Sequence, residues 1–157
     1  MKKALIVLAV AIVATCANAA AFSWSAAQIY SPVDSSALLT TGTAAVYCDA
    51  LSSSALSTTT VSGGKIAATT FNVDDAVANT SYSFYFVLET EQNGTTYTYT
   101  SANKAVTASA TGTAGISFGT QATATKNPEK WQSVPEPTSG LLILLGVAGL
   151  ALKRKMA

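Results

Sequence analysis

One segment limits the folding choices of this chain more than any other, the run from Tyr82 to Thr100. Tyr82-Ser83-Phe84-Tyr85-Phe86-Val87-Leu88-Glu89-Thr90-Glu91-Gln92 leads into Asn93-Gly94, and Thr95-Thr96-Tyr97-Thr98-Tyr99-Thr100 follows. A side-chain period of two belongs to a strand with one buried face. Asn-Gly takes positive φ at both central positions of a type I′ turn, whose twist matches that of the flanking strands. Such a turn pins the register: Glu91 opposes Thr96, Glu89 opposes Thr98, Leu88 opposes Tyr99 and Phe86 opposes Ser101. One face then carries Tyr82, Phe84, Phe86, Leu88, Tyr97 and Tyr99, the expected core face. The other carries Tyr85, Val87, Glu89, Glu91, Thr96, Thr98 and Thr100, which face solvent near the turn.

Shorter pieces of the same kind occur elsewhere. Phe22-Ser23-Trp24-Ser25-Ala26 puts Phe22 and Trp24 on one face, and Ala44-Ala45-Val46-Tyr47-Cys48 is a brief apolar run. Lys65 to Phe71 reads as a strand ending at Asn72, and Gly115-Ile116-Ser117-Phe118-Gly119 as a brief strand between glycines. Roughly a third of the residues between the chain's two ends are Ser or Thr, a composition that suits half-buried strands and polar turns and suits helices badly. Asp49 to Leu56 reads as one or two helical turns behind an Asp cap. Ser57 to Gly64 reads as a loop, and residues 120–133, polar and patternless, as a stalk. The predicted fold is all-β, a small antiparallel β-sandwich-like or open-barrel domain over residues 20–119.

The N-terminal end, 1–19, has a different character. Met1-Lys2-Lys3 precedes an apolar run from Ala4 to Ala14, and Thr15-Cys16-Ala17-Asn18-Ala19 follows. Basic, apolar and small-residue parts in that order make a secretory signal peptide, whose apolar part enters lipid as a helix. The Sec translocon and signal peptidase are its expected partners. Ala17 and Ala19 offer the small side chains that the peptidase pocket takes, so cleavage falls after Ala19, or two residues later after Ala21. An uncleaved anchor and lipidation at Cys16 are the alternatives. The apolar run is short for the first, and Thr15 is a poor residue before a lipidated cysteine.

The C-terminal end, 134–157, has three parts. Val134-Pro135-Glu136-Pro137 leads through Thr138-Ser139-Gly140 into an apolar run. The run comprises Leu141, Leu142, Ile143, Leu144, Leu145, Gly146, Val147, Ala148, Gly149, Leu150, Ala151 and Leu152, and Lys153, Arg154 and Lys155 follow it. This tail resembles the PEP-CTERM sorting signal that exosortase enzymes recognise in Gram-negative-type bacteria. The resemblance implies insertion in the inner membrane, then a cut near Pro135–Pro137 by an exosortase-type membrane protease. The physics of the tail agrees. As a helix the apolar run rises only ~20 Å against a ~30 Å hydrocarbon core, and snorkelling lysines cover part of the gap. The basic cluster stays cytoplasmic by the positive-inside rule, which puts the rest of the chain on the side to which the N-terminal signal sends it. Proline on both sides of Glu136 holds that stretch extended, as a protease cleft requires. A C-terminal core helix is the alternative, and the run lacks the polar face it would need.

Composition excludes several classes of chemistry. In 157 residues there is no histidine, hence no imidazole base and no His-ligated metal. Two cysteines make neither a four-thiolate zinc site nor a disulfide scaffold. Between the two ends, Lys65, Lys104, Lys126 and Lys130 stand against Asp34, Asp49, Asp74, Asp75, Glu89, Glu91 and Glu129, about −3 net. That balance offers no surface for nucleic acid. Cys48, alone once the signal leaves, reads as a buried small hydrophobe. Asp74-Asp75 lacks the alternate oxygen spacing of a calcium loop. Glu89 and Glu91 share a strand face and would serve glycoside hydrolysis only within a cleft. Trp24, Tyr30, Tyr47 and the hairpin tyrosines read as core, with a sugar-stacking platform as the alternative.

These observations predict no catalytic residues, no metal and no cofactor. Together with what the PEP-CTERM resemblance implies, they predict an exported cell-envelope or extracellular-matrix protein that is not an enzyme and is anchored transiently in the inner membrane. A carbohydrate-binding module at the cell surface is the alternative, with extracellular polysaccharide as its candidate partner.

Overall fold

The Asn93-Gly94 hairpin forms in the register that its turn dictates. Strand β5 (Ser81–Gln92) pairs with β6 (Thr95–Thr100), with Glu91 opposite Thr96, Glu89 opposite Thr98 and Leu88 opposite Tyr99. Asn93 and Gly94 both have positive φ, 54° and 73°. Phe84, Phe86 and Leu88 are fully buried, and Tyr82 and Tyr99 nearly so. The computed structural model describes residues 19–134. The predicted signal helix with Ala17, and the tail from Pro135 onward, lie outside the described residues.

Seven further strands complete the sheet: β1 (Ala20–Ala27), β2 (Thr41–Cys48), β3 (Ser52–Ser62), β4 (Lys65–Val73), β7 (Lys104–Thr107), β8 (Thr113–Thr120) and β9 (Trp131–Val134). Their order is β8-β1-β4-β3-β2-β5-β6-β9, and β7 lies beside the first part of β5. The sheet curls into a half-barrel. β3 follows β2 for most of its length but meets β4 only at Val61 and Ser62, so the β3–β4 hairpin opens and the sheet turns over on itself. The β1 side then faces the β5 side across one core. Phe22 meets Phe84 with ring centroids 5.0 Å apart, and Trp24 meets Phe86 at 6.1 Å. The indole N–H of Trp24 donates to Ser57 Oγ at 3.3 Å, so that its polar edge is satisfied inside. The all-β, sandwich-like or open-barrel expectation holds, with one departure from antiparallel order: β1 and β8 run parallel.

Three local expectations are corrected. Asp49 to Leu56 is not helical: Asp49 and Ala50 turn, and β3 begins at Ser52. Ser57 to Ser62 is not a loop but the rest of β3, with Ser57, Thr59 and Val61 opposite Val46, Ala44 and Gly42. Pairing on both layers of a curled sheet accepts Ser and Thr readily, whatever their turn propensity. Residues 120–133 are not a stalk. Thr120 ends β8, Ala122–Thr125 form a short helix α1, Pro128–Lys130 a 3-10 turn, and β9 joins the edge of β6.

Candidate functional site

The site of interest is the junction where the folded sheet hands over to the tail. β9 runs antiparallel to β6, pairing Trp131 with Tyr99 and Val134 with Thr96. Trp131 anchors the strand. Its ring lies 5.4 Å from that of Tyr99, and its indole N–H donates to the carbonyl of Thr125 at 2.9 Å. Thr125, almost wholly buried, accepts from the backbone N–H of Tyr30 at 3.0 Å and donates to the carbonyl of Gln121 at 2.8 Å. The Tyr99 hydroxyl donates to Gln121 Oε1 at 2.8 Å, and burial raises the pKa of this phenol. One polar network therefore ties residues 121–131 to β6 and to the loop after β1.

That network was not legible in the sequence, because 121–134 has neither strand nor helix period. Two local signals do exist in hindsight. Asn127-Pro128 is a cap followed by proline, and the Asn127 side chain accepts from the Glu129 N–H at 3.0 Å. Trp131 is a large ring in an otherwise polar stretch.

Val134, the last described residue, is exposed. Pro135 follows and has no N–H to offer the ladder. Register places Val134 at one end of the domain together with the Asn93-Gly94 turn, the start of β2, the Gly63-Gly64 turn and the ends of β1 and β8. The loop from Gln28 to Thr40 closes the same end. Ser31 Oγ donates to Gln92 Oε1 at 2.7 Å, and the Ile29 N–H reaches the carbonyl of Gly64 at 3.0 Å. Within this loop Asp34 Oδ1 accepts from the Ser36 hydroxyl at 2.6 Å and its N–H at 2.9 Å, and these bonds lower the Asp34 pKa. Ala20 stands at the opposite end, where β1 begins.

The remaining candidates fall in different places. Cys48 is fully buried and free. Glu89 and Glu91 come together on the outer face of β5, along a shallow groove of roughly 280 Å³ that Thr41, Thr43 and Thr96 also line. Asp74 and Asp75 lie exposed in the turn after β4 at the far end, so the four carboxylates do not gather. Among the described residues no cluster of His, Cys, Asp and Glu could hold a metal ion. Among them, too, no helix is long and apolar enough to cross a membrane. Trp24 lies in the core, which removes it from any sugar platform. Tyr47 and Tyr85 stack on each other outside the sheet, half-buried, at 5.5 Å. The Tyr85 hydroxyl donates to Asp49 Oδ1 at 3.0 Å, which raises the Tyr85 pKa. Tyr30 lies beneath the ammonium of Lys126 at 4.2 Å.

Comparison with known proteins adds one finding at this junction. The family model of the PEP-CTERM protein-sorting motif matches residues 133–155, beginning on the last two residues of β9. Searches of curated proteins and of solved structures found no match. The motif thus overlaps the described end of β9, and the chain is one that carries a PEP-CTERM sorting motif: an exported protein, sorted by an exosortase.

Proposed function

We propose that this is a non-catalytic cell-envelope or extracellular-matrix protein whose activity lies in its delivery. The leader directs the chain through the Sec translocon. The apolar run from Leu141 to Leu152 holds it in the inner membrane, with Lys153, Arg154 and Lys155 on the cytoplasmic side. Exosortase cleavage near Pro135–Pro137 then frees the domain for the cell surface or matrix. The observation that carries this reading is the position of the matched motif, which starts on β9 and covers the Pro-Glu-Pro stretch. A cut there leaves every described strand whole.

The other end supports leader cleavage after Ala19 over cleavage after Ala21. Ala20 is buried and pairs with Val73, and Ala21 pairs with Asn72 and Thr113. Cleavage after Ala21 would remove both from the sheet. Cleavage after Ala19 keeps the ladder whole and sets a new ammonium group beside the turn that holds Asp74 and Asp75, a favourable charge placement. The non-catalytic reading is supported by the lack of histidine, the burial of Cys48 and the separation of the carboxylates between two ends of the domain.

Intact-mass spectrometry of the protein from its native host tests the whole reading. The expected mass begins at Ala20 and ends between Val134 and Thr138. A mature protein that retains Leu141 to Ala157 would refute sorting by cleavage.

A further inference from the structure

Strand β9 is fixed to the domain at its first residue and lightly held after it. Trp131 is buried, with its ring 5.4 Å from that of Tyr99 and its indole N–H on the Thr125 carbonyl at 2.9 Å. Gln132, Ser133 and Val134 all have exposed side chains. They pair with Thr98, Tyr97 and Thr96 of β6, and among the described residues no strand lies on their other side. Detaching these three residues costs ladder hydrogen bonds to a single neighbour and little buried apolar surface. Detaching Trp131 opens the core. Local opening is therefore expected to start at Val134 and to halt at Trp131.

The same three residues stand immediately before the expected cut. The matched sorting motif begins at Ser133, so its first two residues are residues of the sheet. A protease cleft takes several consecutive residues on each side of the scissile bond in extended form, and binds them through backbone groups as an added strand. With a cut within 135–137, the residues on the N-terminal side are Gln132, Ser133 and Val134, and β6 already engages one flank of their backbone. Reach points the same way. Only Pro135-Glu136-Pro137-Thr138-Ser139-Gly140 separates Val134 from Leu141. Fully extended, the chain from Val134 to Leu141 covers at most ~25 Å. An enzyme held in the bilayer must fit its cleft between membrane and sheet within that span. Release as far as Trp131 lengthens it by ~10 Å.

We propose that residues 132–134 are a releasable strap, which leaves β6 to become part of the stretch that the processing protease binds, with Trp131 as its stop; the proposal builds on the reading that the tail inserts in a membrane and is cut there. The partner is a membrane-embedded protease whose cleft takes an extended chain. Because Gln132, Ser133 and Val134 point outward, their departure leaves the core closed, and the domain stays folded through the cut. Afterwards the strap pairs with β6 again, and the mature domain keeps its edge strand.

The test uses the full-length chain in its native host, which supplies the protease. Thr96→Cys with Val134→Cys puts two thiols at a directly paired position of β6 and β9, where a disulfide locks the strap. Cys48, buried in the folded domain, is out of its reach. Mass spectrometry without reductant reads the bond, and pulse-chase labelling reads the rate at which the tail is lost. The locked chain is expected to be cut at least tenfold more slowly than the unmodified chain, and each single variant within twofold of it. Gly-Ser-Gly-Ser inserted after position 134 of the locked chain is expected to restore cutting to within threefold. Cutting of the locked chain at the unmodified rate would overturn the strap and leave sorting by cleavage intact. A single Val134→Cys variant as slow as the locked chain, or a locked chain that the insertion does not rescue, would overturn it too. Failure of the unmodified chain to be cut would overturn both readings. An unchanged circular dichroism spectrum of the locked, uncut chain excludes misfolding as the cause of slow cutting.

Discussion

The indole N–H of Trp131 donates to the carbonyl of Thr125, six residues earlier, at 2.9 Å, and this bond folds the final segment of the domain back on itself. The chain between the two turns through the Asn127-capped 3-10 turn, so Trp131 reaches Tyr99 at the right height to begin β9. Trp131→Ala is expected to destabilise residues 20–134 by about 3–5 kcal/mol, as for other buried tryptophans. Trp131→Phe keeps a ring against Tyr99 but leaves the Thr125 carbonyl without its donor, at about 1–2 kcal/mol. Urea unfolding of the three proteins checks the order.

Thr125 makes a prediction of the opposite kind, because its shape and its hydroxyl separate cleanly. Thr125→Val preserves volume but deprives the Tyr30 N–H of its acceptor inside the protein. A cost of about 1–3 kcal/mol follows from the stranded donor. Amide exchange at Tyr30 is expected to accelerate more than at Leu88, in the middle of β5. Equal protection at Tyr30 in both proteins would contradict the assigned bond.

The glycines at two turns separate strain from collision. Gly94 has φ +73° and open space where a Cβ would stand, so Gly94→Ala meets only the left-handed penalty of about 1–2 kcal/mol. Gly64 has φ +70°, and a Cβ there would lie 2.8 Å from the carbonyl oxygen of Ile29 and 2.8 Å from Leu38. Gly64→Ala is expected to cost more, ~3 kcal/mol or above, because backbone must move as well. Thermal melts of the two variants read the difference directly.

Asp34 predicts a pH dependence. The Ser36 hydroxyl and N–H, both bound to one carboxylate oxygen, lower its pKa from the ordinary 3.8. A lowered folded-state pKa stabilises the loop above the unfolded value, and that contribution fades as pH falls through the folded one. The Ser36 amide resonance is expected to titrate with a midpoint below 3.8. In Asp34→Asn the acid titration of that resonance should disappear.

What could be read in advance followed the physics of side-chain period. The Tyr82–Thr100 hairpin was legible to the residue, because Asn93-Gly94 sets register and the alternation sets the face. Phe22 and Trp24 were legible as core partners for the same reason. β3 was not, since Ser52 to Thr60 owes its extended form to β2 and not to its own composition. Segment 121–134 was not, because its order depends on distant partners: Tyr30 bonds Thr125, Tyr99 bonds Gln121, and β6 pairs with β9. The junction's position was half legible. Pro135-Glu136-Pro137 declared the motif, but nothing local showed that the sheet runs up to Val134.

The parallel pairing of β1 with β8 has a temporal consequence for export. A chain threaded N-terminus first delivers Ala20–Ala27 at the outset, yet one flank of that strand waits for Thr113–Thr120. Were the chain to emerge N-terminus first, the core would close only once nearly the whole domain is out. Thr125 and Trp131 then complete the structure at about the moment the hydrophobic end arrives.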